Sequence, residues 1–287
     1  MKLSMALARE MSLARTQSVT GLLRGTPYGR TLRRVLEGFA DIQIADRSLA
    51  LAAQIFTSVL PVIIAASVIS GWDAAENTIR DQFGFDSAAL GAGPDATVAD
   101  PTVAAFGVVG LFVVLIGGTS FARALGRLYQ VVWKVPAIGG RDAWRWLAAL
   151  LTVALAAGVV GQTRQLGRIS YIGPPLSLVI ELIVWSFVWI LVPFLLTKGA
   201  LNGRLLWTSG ILTAIGLCLV HIAGRVVLPR LAANAREQFG PLGLAFTSIS
   251  WLFVLSLVIV GAAAIVKAFA LDETIVGRFL RGRDDDE

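Results

Sequence analysis

Six long apolar runs, separated by short segments rich in glycine and proline, constrain the fold of this chain more than any other feature. The runs cover residues 48–72, 103–121, 144–161, 175–196, 205–224 and 242–268. A helix needs about 20 predominantly apolar residues to cross the roughly 30 Å hydrocarbon core of a bilayer. We therefore expect an all-α polytopic membrane protein, a bundle of six transmembrane helices.

Composition supports a membrane class over a soluble one. Only 15% of the residues are charged, whereas a soluble domain usually carries about 25%. The net charge of +6 would suggest nucleic acid as a partner of a soluble chain, but basic residues also gather on the cytoplasmic flanks of membrane spans. We therefore expect a lipid bilayer as the partner and no nucleic acid. Cys218 is the only cysteine and can form no intrachain disulfide.

The distribution of Lys and Arg predicts the orientation of the spans. With six spans, one side carries 19 basic residues and the opposite side carries 6. The 19 lie in the N-terminal segment 1–47, in the tail 269–287 and in the segments after the second and fourth spans, together with Arg145 and Lys267 at the ends of the third and sixth runs on that side. Because basic residues favour the cytoplasmic side, both termini are predicted to be cytoplasmic. The stretch 31–47 alternates apolar and charged residues, which fits either an amphipathic helix at the membrane interface or a helix packed under the bundle.

Ionisable residues are rare inside the apolar runs, and each is costly in hydrocarbon. Glu181 lies about two turns into the fourth run, and His221 lies near the outer end of the fifth. Arg225 follows His221 by four residues and so shares its helix face. These three residues predict a proton- or anion-binding group that faces outward. The alternative is structural, with Glu181 satisfied by one partner or a water and His221 among the headgroups.

Two further sets of residues are candidates for function. Gln54 precedes Pro61 in the first run, and Pro193 lies in the fourth; such prolines predict kinks that line a cavity. Three spans in each half would also give inverted halves, as in many transporters. At the end of the second run, the basic and aromatic residues predict an interface anchor, or else a contact with lipid headgroups or substrate. They are Arg123, Arg127, Tyr129 and Trp133.

Enzymatic chemistry has little support in the sequence. One His, one Cys and one acidic residue within a run do not supply the convergent ligands of a metal site. Phosphate-binding loops and nucleophile elbows are also missing from the sequence. We therefore expect no enzyme activity, no metal and no cofactor. Ala154 and Gly158 have the small-xxx-small spacing of a surface that contacts another helix.

Three stretches resemble the YihY/BrkB family of bacterial membrane proteins, once described as ribonuclease BN. They are DRSLALAAQIFTSVLPVII, FGVVGLFVVLIGGTSFARALGRLYQVVWKV and FGPLGLAFTSISWLFVLSLVIVGAAAI. The resemblance implies a six-helix protein of the bacterial inner membrane whose activity is unsettled; the ribonuclease description is regarded as a misassignment. Many members carry an acidic residue where this chain has Ala263, so no role of that carboxylate transfers.

Two functional hypotheses follow from these features. The first is transport or transbilayer movement of a small solute, an ion or a lipid, because polar residues and prolines lie within the runs. The second is a structural protein of the envelope that assembles with a membrane partner or a second copy of itself through small-residue faces. An intramembrane enzyme ranks third.

Overall fold

The computed structural model describes residues 27–70, 102–136, 138–166, 173–272 and 274–282. These residues form eight α-helices and one short 3₁₀ turn, with no β-strand among them. The helices are α1 (Pro27–Asp41), α2 (Ile44–Ser70), α3 (Thr102–Trp133), α4 (Trp144–Leu166), α5 (Gly173–Leu196), α6 (Gly203–Phe239), α7 (Pro241–Ala270) and α8 (Ile275–Arg281).

Some of the helices are long and apolar enough to cross a membrane. Within the described ranges, three stretches are long and apolar enough to span a bilayer: Pro175–Leu196, Gly203–Phe239 and Leu242–Ala270. A fourth apolar stretch, Trp144–Val160, is shorter. For the described residues, the prediction of an all-α fold with helices able to span a membrane is therefore confirmed.

The six long helices pack as a closed ring in chain order, with α7 returning to pack against α2. Short turns join α5 to α6 and α6 to α7, so these neighbours run antiparallel. Two ends of the ring are thereby defined. The α1 end carries α1, α8 and the α5–α6 turn, and the hairpin end carries the α6–α7 turn at Gly240.

Local backbone geometry explains both turns. Gly240 has φ +60°, a left-handed conformation that favours glycine, and Pro241 then occupies the first position of α7. At the α5–α6 turn, Gly199 has φ +71° and its N–H donates to the carbonyl of Phe194. Such bonds satisfy carbonyls that the end of a helix leaves without partners.

The core lies between the facing surfaces of the ring, where Ala52, Val188 and Leu252 are almost completely buried. Gly210 of α6 permits the closest approach to α5. A Cβ atom placed there would lie 2.9 Å from the backbone nitrogen of Ile190 and 3.0 Å from the carbonyl carbon of Trp189. A glycine at this position therefore lets the two backbones meet directly.

Two helix boundaries differ from the sequence interpretation. The fifth run was expected to end at Gly224, but α6 continues to Phe239 and reaches a length of about 55 Å. Its continuation carries charged residues and a proline that resemble a loop in the sequence, yet its apolar residues pack along α7. In addition, the stretch 31–47 is not one helix, because Gln43 adopts φ +51° and separates α1 from α2.

Candidate functional site

Glu181 is a buried carboxylate in the middle of an apolar helix. It lies eight residues from the start of α5, about 12 Å along the axis, and its side chain is only 5% exposed. A charge in such a position needs partners, because burial without them costs several kcal/mol, roughly. Two of its partners come from α6.

His221 and Arg225 of α6 face this carboxylate. His221 Nδ1 lies 3.3 Å from Glu181 Oε1, and Arg225 Nη2 lies 4.0 Å from Glu181 Oε2. The two α6 residues are one turn apart, so a single helix face presents both of them. The structure therefore brings together the three ionisable residues that the sequence singled out, which we call the Glu181 cluster.

Exposure differs strongly within the Glu181 cluster. The His221 side chain is 14% exposed, whereas that of Arg225 is 58% exposed. Arg225 is therefore open to the surroundings on the side toward the hairpin end, and Glu181 lies deeper. When the imidazole is protonated, it and the carboxylate attract each other across 3.3 Å, and an exposed guanidinium can attract an anion.

Trp185 adds an aromatic wall that sequence reasoning did not assign to this site. Its ring centroid lies 6.5 Å from that of His221, with the planes tilted by 54°. The signal was available, since Trp185 follows Glu181 by four residues and shares its helix face. Burial of the tryptophan could not be read from the sequence.

The other predicted pathway residues lie elsewhere or are only partly described. Gln54 is half-buried on α2. The side chain of Pro61 lies outside the described set, although α2 is helical through that position. Pro193 is buried within α5, which continues to Leu196.

The residues at the end of α3 divide into two groups. Arg123 and Arg127 are exposed, and Arg123 lies over the ring of Trp146, with its guanidinium carbon 5.7 Å from the centroid. Trp133 is half-buried. Tyr129 differs from the interface interpretation: it is 2% exposed and belongs to the core, so its hydroxyl does not face headgroups.

Ionic contacts at the α1 end tie the helix termini together. Asp142 pairs with Lys198 across the α4 and α5 ends, and Arg145 donates to the Leu195 carbonyl at 3.3 Å. The hydrogen bond from Lys198, together with the positive charges of Lys198 and Arg145, lowers the pKa of Asp142 below its ordinary value of 3.8. Such pairs fix the turn geometry, and none lies near the Glu181 cluster.

A second carboxylate, Asp272, joins α1 to the end of α7. Its side chain is 8% exposed and accepts a hydrogen bond from Thr31 as well as an ion pair from Arg34 at 2.8 Å. Arg281 of α8 donates to the Asp272 backbone carbonyl at 2.9 Å. Sequence reasoning missed this contact because its partners are more than 200 positions apart.

A metal site and an apolar groove are two other kinds of site that a ligand could use. No group of three or more His, Cys, Asp or Glu side chains that could hold a metal ion occurs in the part of the chain that the structure describes. An open groove of about 720 Å³ runs between α6 and α7 at the hairpin end. Its walls are mostly apolar, including Leu231, Phe246 and Trp251, with Asn234 and Gln238 among the few polar lining residues.

Fold and site together define the class: within the described residues, an all-helical protein with three helices long and apolar enough to cross a membrane, two of which hold a buried carboxylate between them. Comparison with known proteins adds no narrower identity. No family model, no curated protein and no solved structure matches the chain.

Proposed function

We propose that this chain is a transporter that moves a small solute, an ion or a lipid across a bacterial inner membrane. The observation that carries the proposal is the Glu181 cluster, in which a nearly buried carboxylate faces an imidazole between two membrane-crossing helices. Ionisable residues at such depth are expensive and usually mark substrate or proton pathways. Gln54, Pro61 and Pro193 are the further pathway candidates of this proposal.

The topology that we propose has six spans, formed by α2 to α7, with both termini in the cytoplasm. The bounds of the six long helices support it, as does the excess of basic residues at the α1 end. Membership of the YihY/BrkB family, an amphipathic or packed N-terminal segment, and headgroup contacts of Arg123 and Arg127 belong to the same proposal. No enzyme activity, metal or cofactor forms part of it.

Flux measurements on reconstituted protein test the function. We expect liposomes that contain the full chain to show proton or anion flux, or scrambling of a fluorescent lipid, and Glu181→Gln to abolish it. Glu237→Gln is the matched control, because Glu237 is an exposed residue near the end of α6. Activity that is equal in Glu181→Gln and in the native chain would refute a pathway through the Glu181 cluster.

Thiol labelling tests the topology. On a Cys218→Ser background, a cysteine at Ala200 in the α5–α6 turn is expected to resist an impermeant reagent on intact cells, and one at Gln238 to react. Both positions are exposed in the protein, so accessibility of the side chain does not limit the reaction. Equal labelling of the two positions would refute the proposed orientation.

A specific observation supports the second candidate, an envelope protein that assembles with a membrane partner or a second copy of itself. Ala154 and Gly158 are both exposed on α4, and a Cβ atom at Gly158 would meet nothing within 4 Å. Small residues that face outward let another helix approach closely. Loss of association on Gly158→Leu, with transport unchanged in Glu181→Gln, would favour this candidate.

A further inference from the structure

A row of buried residues follows α5 from the Glu181 cluster to the α1 end. Glu181, Trp185, Trp189, Pro193 and Thr197 follow one another at four-residue intervals, and all five are buried. At 100° per residue, each member lies about 40° around the helix from the one before it, so the row winds by about 160° over roughly 24 Å of the axis. We call this surface the α5 polar face, because four of its five side chains carry a polar group.

Two donors on the α5 polar face have no acceptor in the described protein. The indole nitrogens of Trp185 and Trp189 are buried without a hydrogen-bond partner, although the residues are only 7% and 5% exposed. A buried donor without a partner is costly, and indole N–H groups usually find one. These two N–H groups therefore point to an acceptor outside the described residues.

Trp189 also has a hydrogen-bond acceptor, its backbone carbonyl, beside its indole donor. Position 193 is proline and has no N–H, so the carbonyl of Trp189 receives no helical hydrogen bond from it. The facing residue on α6 is Gly210, whose backbone packs against the peptide bond between Trp189 and Ile190. In membrane helices, ordered waters commonly satisfy carbonyls that a proline has freed.

The antiparallel register adds a third polar group at the same level. Glu181 lies opposite His221, and α5 and α6 run antiparallel. Trp189 follows Glu181 by eight residues, and Thr213 precedes His221 by eight. Trp189 and Thr213 therefore lie at the same height in the bundle. Thr213 is 2% exposed, and its hydroxyl donates to the Ser209 carbonyl at 2.7 Å, which leaves its lone pairs available. A buried water requires two to four polar partners, and this level supplies them.

We propose that water molecules occupy the α5 polar face at Trp185 and Trp189, as an internal hydrated site that continues from the Glu181 cluster toward the α1 end. Each water accepts an indole N–H, and at Trp189 it donates to the freed carbonyl. The burial and the hydrogen-bonding groups of Trp185 and Trp189 support the hydrated site. Its use as a path for protons rests on the proposed transport function.

Fluorine NMR of the full chain in lipid nanodiscs tests the hydration directly. With 5-fluorotryptophan incorporated, the signals of Trp185 and Trp189 are expected to shift when H₂O is replaced by D₂O, as that of the exposed Trp207 does. Signals are assigned by Trp→Phe at each position, or by Trp→Tyr where the Phe variant does not fold. No isotope shift at either buried tryptophan would overturn the proposal.

Proton flux in liposomes separates the hydrated site from the proposed function. We expect Trp189→Phe to lower the flux about tenfold, as the loss of one hydrogen bond in the path implies, and Trp207→Phe to leave it unchanged. Isotope shifts in a protein that carries no flux would refute transport and uphold the hydrated site. Flux without isotope shifts would refute the hydrated site alone.

Discussion

Glu181 Oε1 and His221 Nδ1 lie 3.3 Å apart, on antiparallel helices that meet within the apolar part of the bundle. The His221 side chain is 14% exposed and that of Glu181 is 5% exposed. Their contact therefore links the stability of the α5–α6 pair to the residues that we propose for transport. Substitution of one partner changes the surroundings of the other.

The first prediction concerns the energetic coupling of this pair. We expect Glu181→Ala and His221→Ala each to lower the free energy of unfolding by about 1–3 kcal/mol, because each leaves a buried polar partner. The double variant should lose about 1 kcal/mol less than the sum, as a direct interaction across helices implies. Thermal unfolding of the four proteins in detergent measures this difference. Strict additivity would show that the two side chains do not interact.

The second prediction concerns the attachment of α1. Asp272→Ala removes the carboxylate that Thr31 and Arg34 contact, so α1 should separate from the end of α7. We expect a loss of stability of about 1–3 kcal/mol and faster tryptic cleavage after Arg33 and Arg34. Limited proteolysis followed by mass spectrometry measures the rate.

Glu37→Ala is the control for this prediction. Glu37 pairs with Arg33 within α1, but both side chains are more than half exposed, and such a pair contributes only about 0.3–0.5 kcal/mol. Its loss should leave the cleavage rate close to that of the native chain. If trypsin cleaves α1 as slowly in the Asp272→Ala protein as in the native chain, other contacts hold the helix.

The third prediction concerns the pH dependence of the contact between Asp142 and Lys198. Lys198 lowers the pKa of Asp142 in the folded protein, so the carboxylate stabilises the fold at a pH above its ordinary value of 3.8. This contribution decreases as the pH falls through 3.8 and is lost below the lowered pKa. The melting temperature should therefore fall more steeply toward acid pH in the native chain than in Asp142→Asn.

High salt provides the control for the Asp142 contact. The pair is partly exposed, so 1 M NaCl should reduce the difference between the native chain and Asp142→Asn at pH 7. Parallel melting curves from pH 6 to pH 3 would contradict the assignment. They would mean that the lowered pKa of Asp142 does not contribute to the free energy of unfolding.

The sequence predicted some parts of this molecule well, for physical reasons. Long apolar runs must form helices in a bilayer, since backbone groups cannot stay without partners there. Glu181 and His221 could be selected because so few ionisable residues interrupt those runs. Their approach to 3.3 Å depended on the register of α5 against α6, which the sequence did not fix.

Other parts depended on packing that no local pattern reveals. Arg225, Arg230 and Arg236 resemble loop residues, but they lie on the exposed side of a helix whose other side packs along α7. Tyr129 resembles an interface residue beside basic neighbours, yet its face of α3 turns into the core. In both cases, packing against the neighbouring helix determines whether the side chain is buried or exposed.

The last prediction compares two glycines whose surroundings are opposite. A side chain at Gly210 would overlap the backbone of Ile190 and Trp189, so Gly210→Leu should force α5 and α6 apart at a cost of about 1–3 kcal/mol. Gly158 is exposed, and Gly158→Leu should keep the stability of the isolated chain, because leucine favours a helix more than glycine does. Thermal unfolding in detergent measures both variants.

Measurements of association on the Gly158→Leu and Gly210→Leu variants separate the two candidate functions. If α4 binds a partner helix at Ala154 and Gly158, Gly158→Leu should weaken crosslinking in membranes while the unfolding temperature stays unchanged. Gly210→Leu should instead lower the unfolding temperature and reduce transport, because it displaces Glu181 relative to His221. A loss of stability in Gly158→Leu that matches the loss in Gly210→Leu would mean that α4 is packed within the chain at this face, and the partner-binding candidate would lose its support.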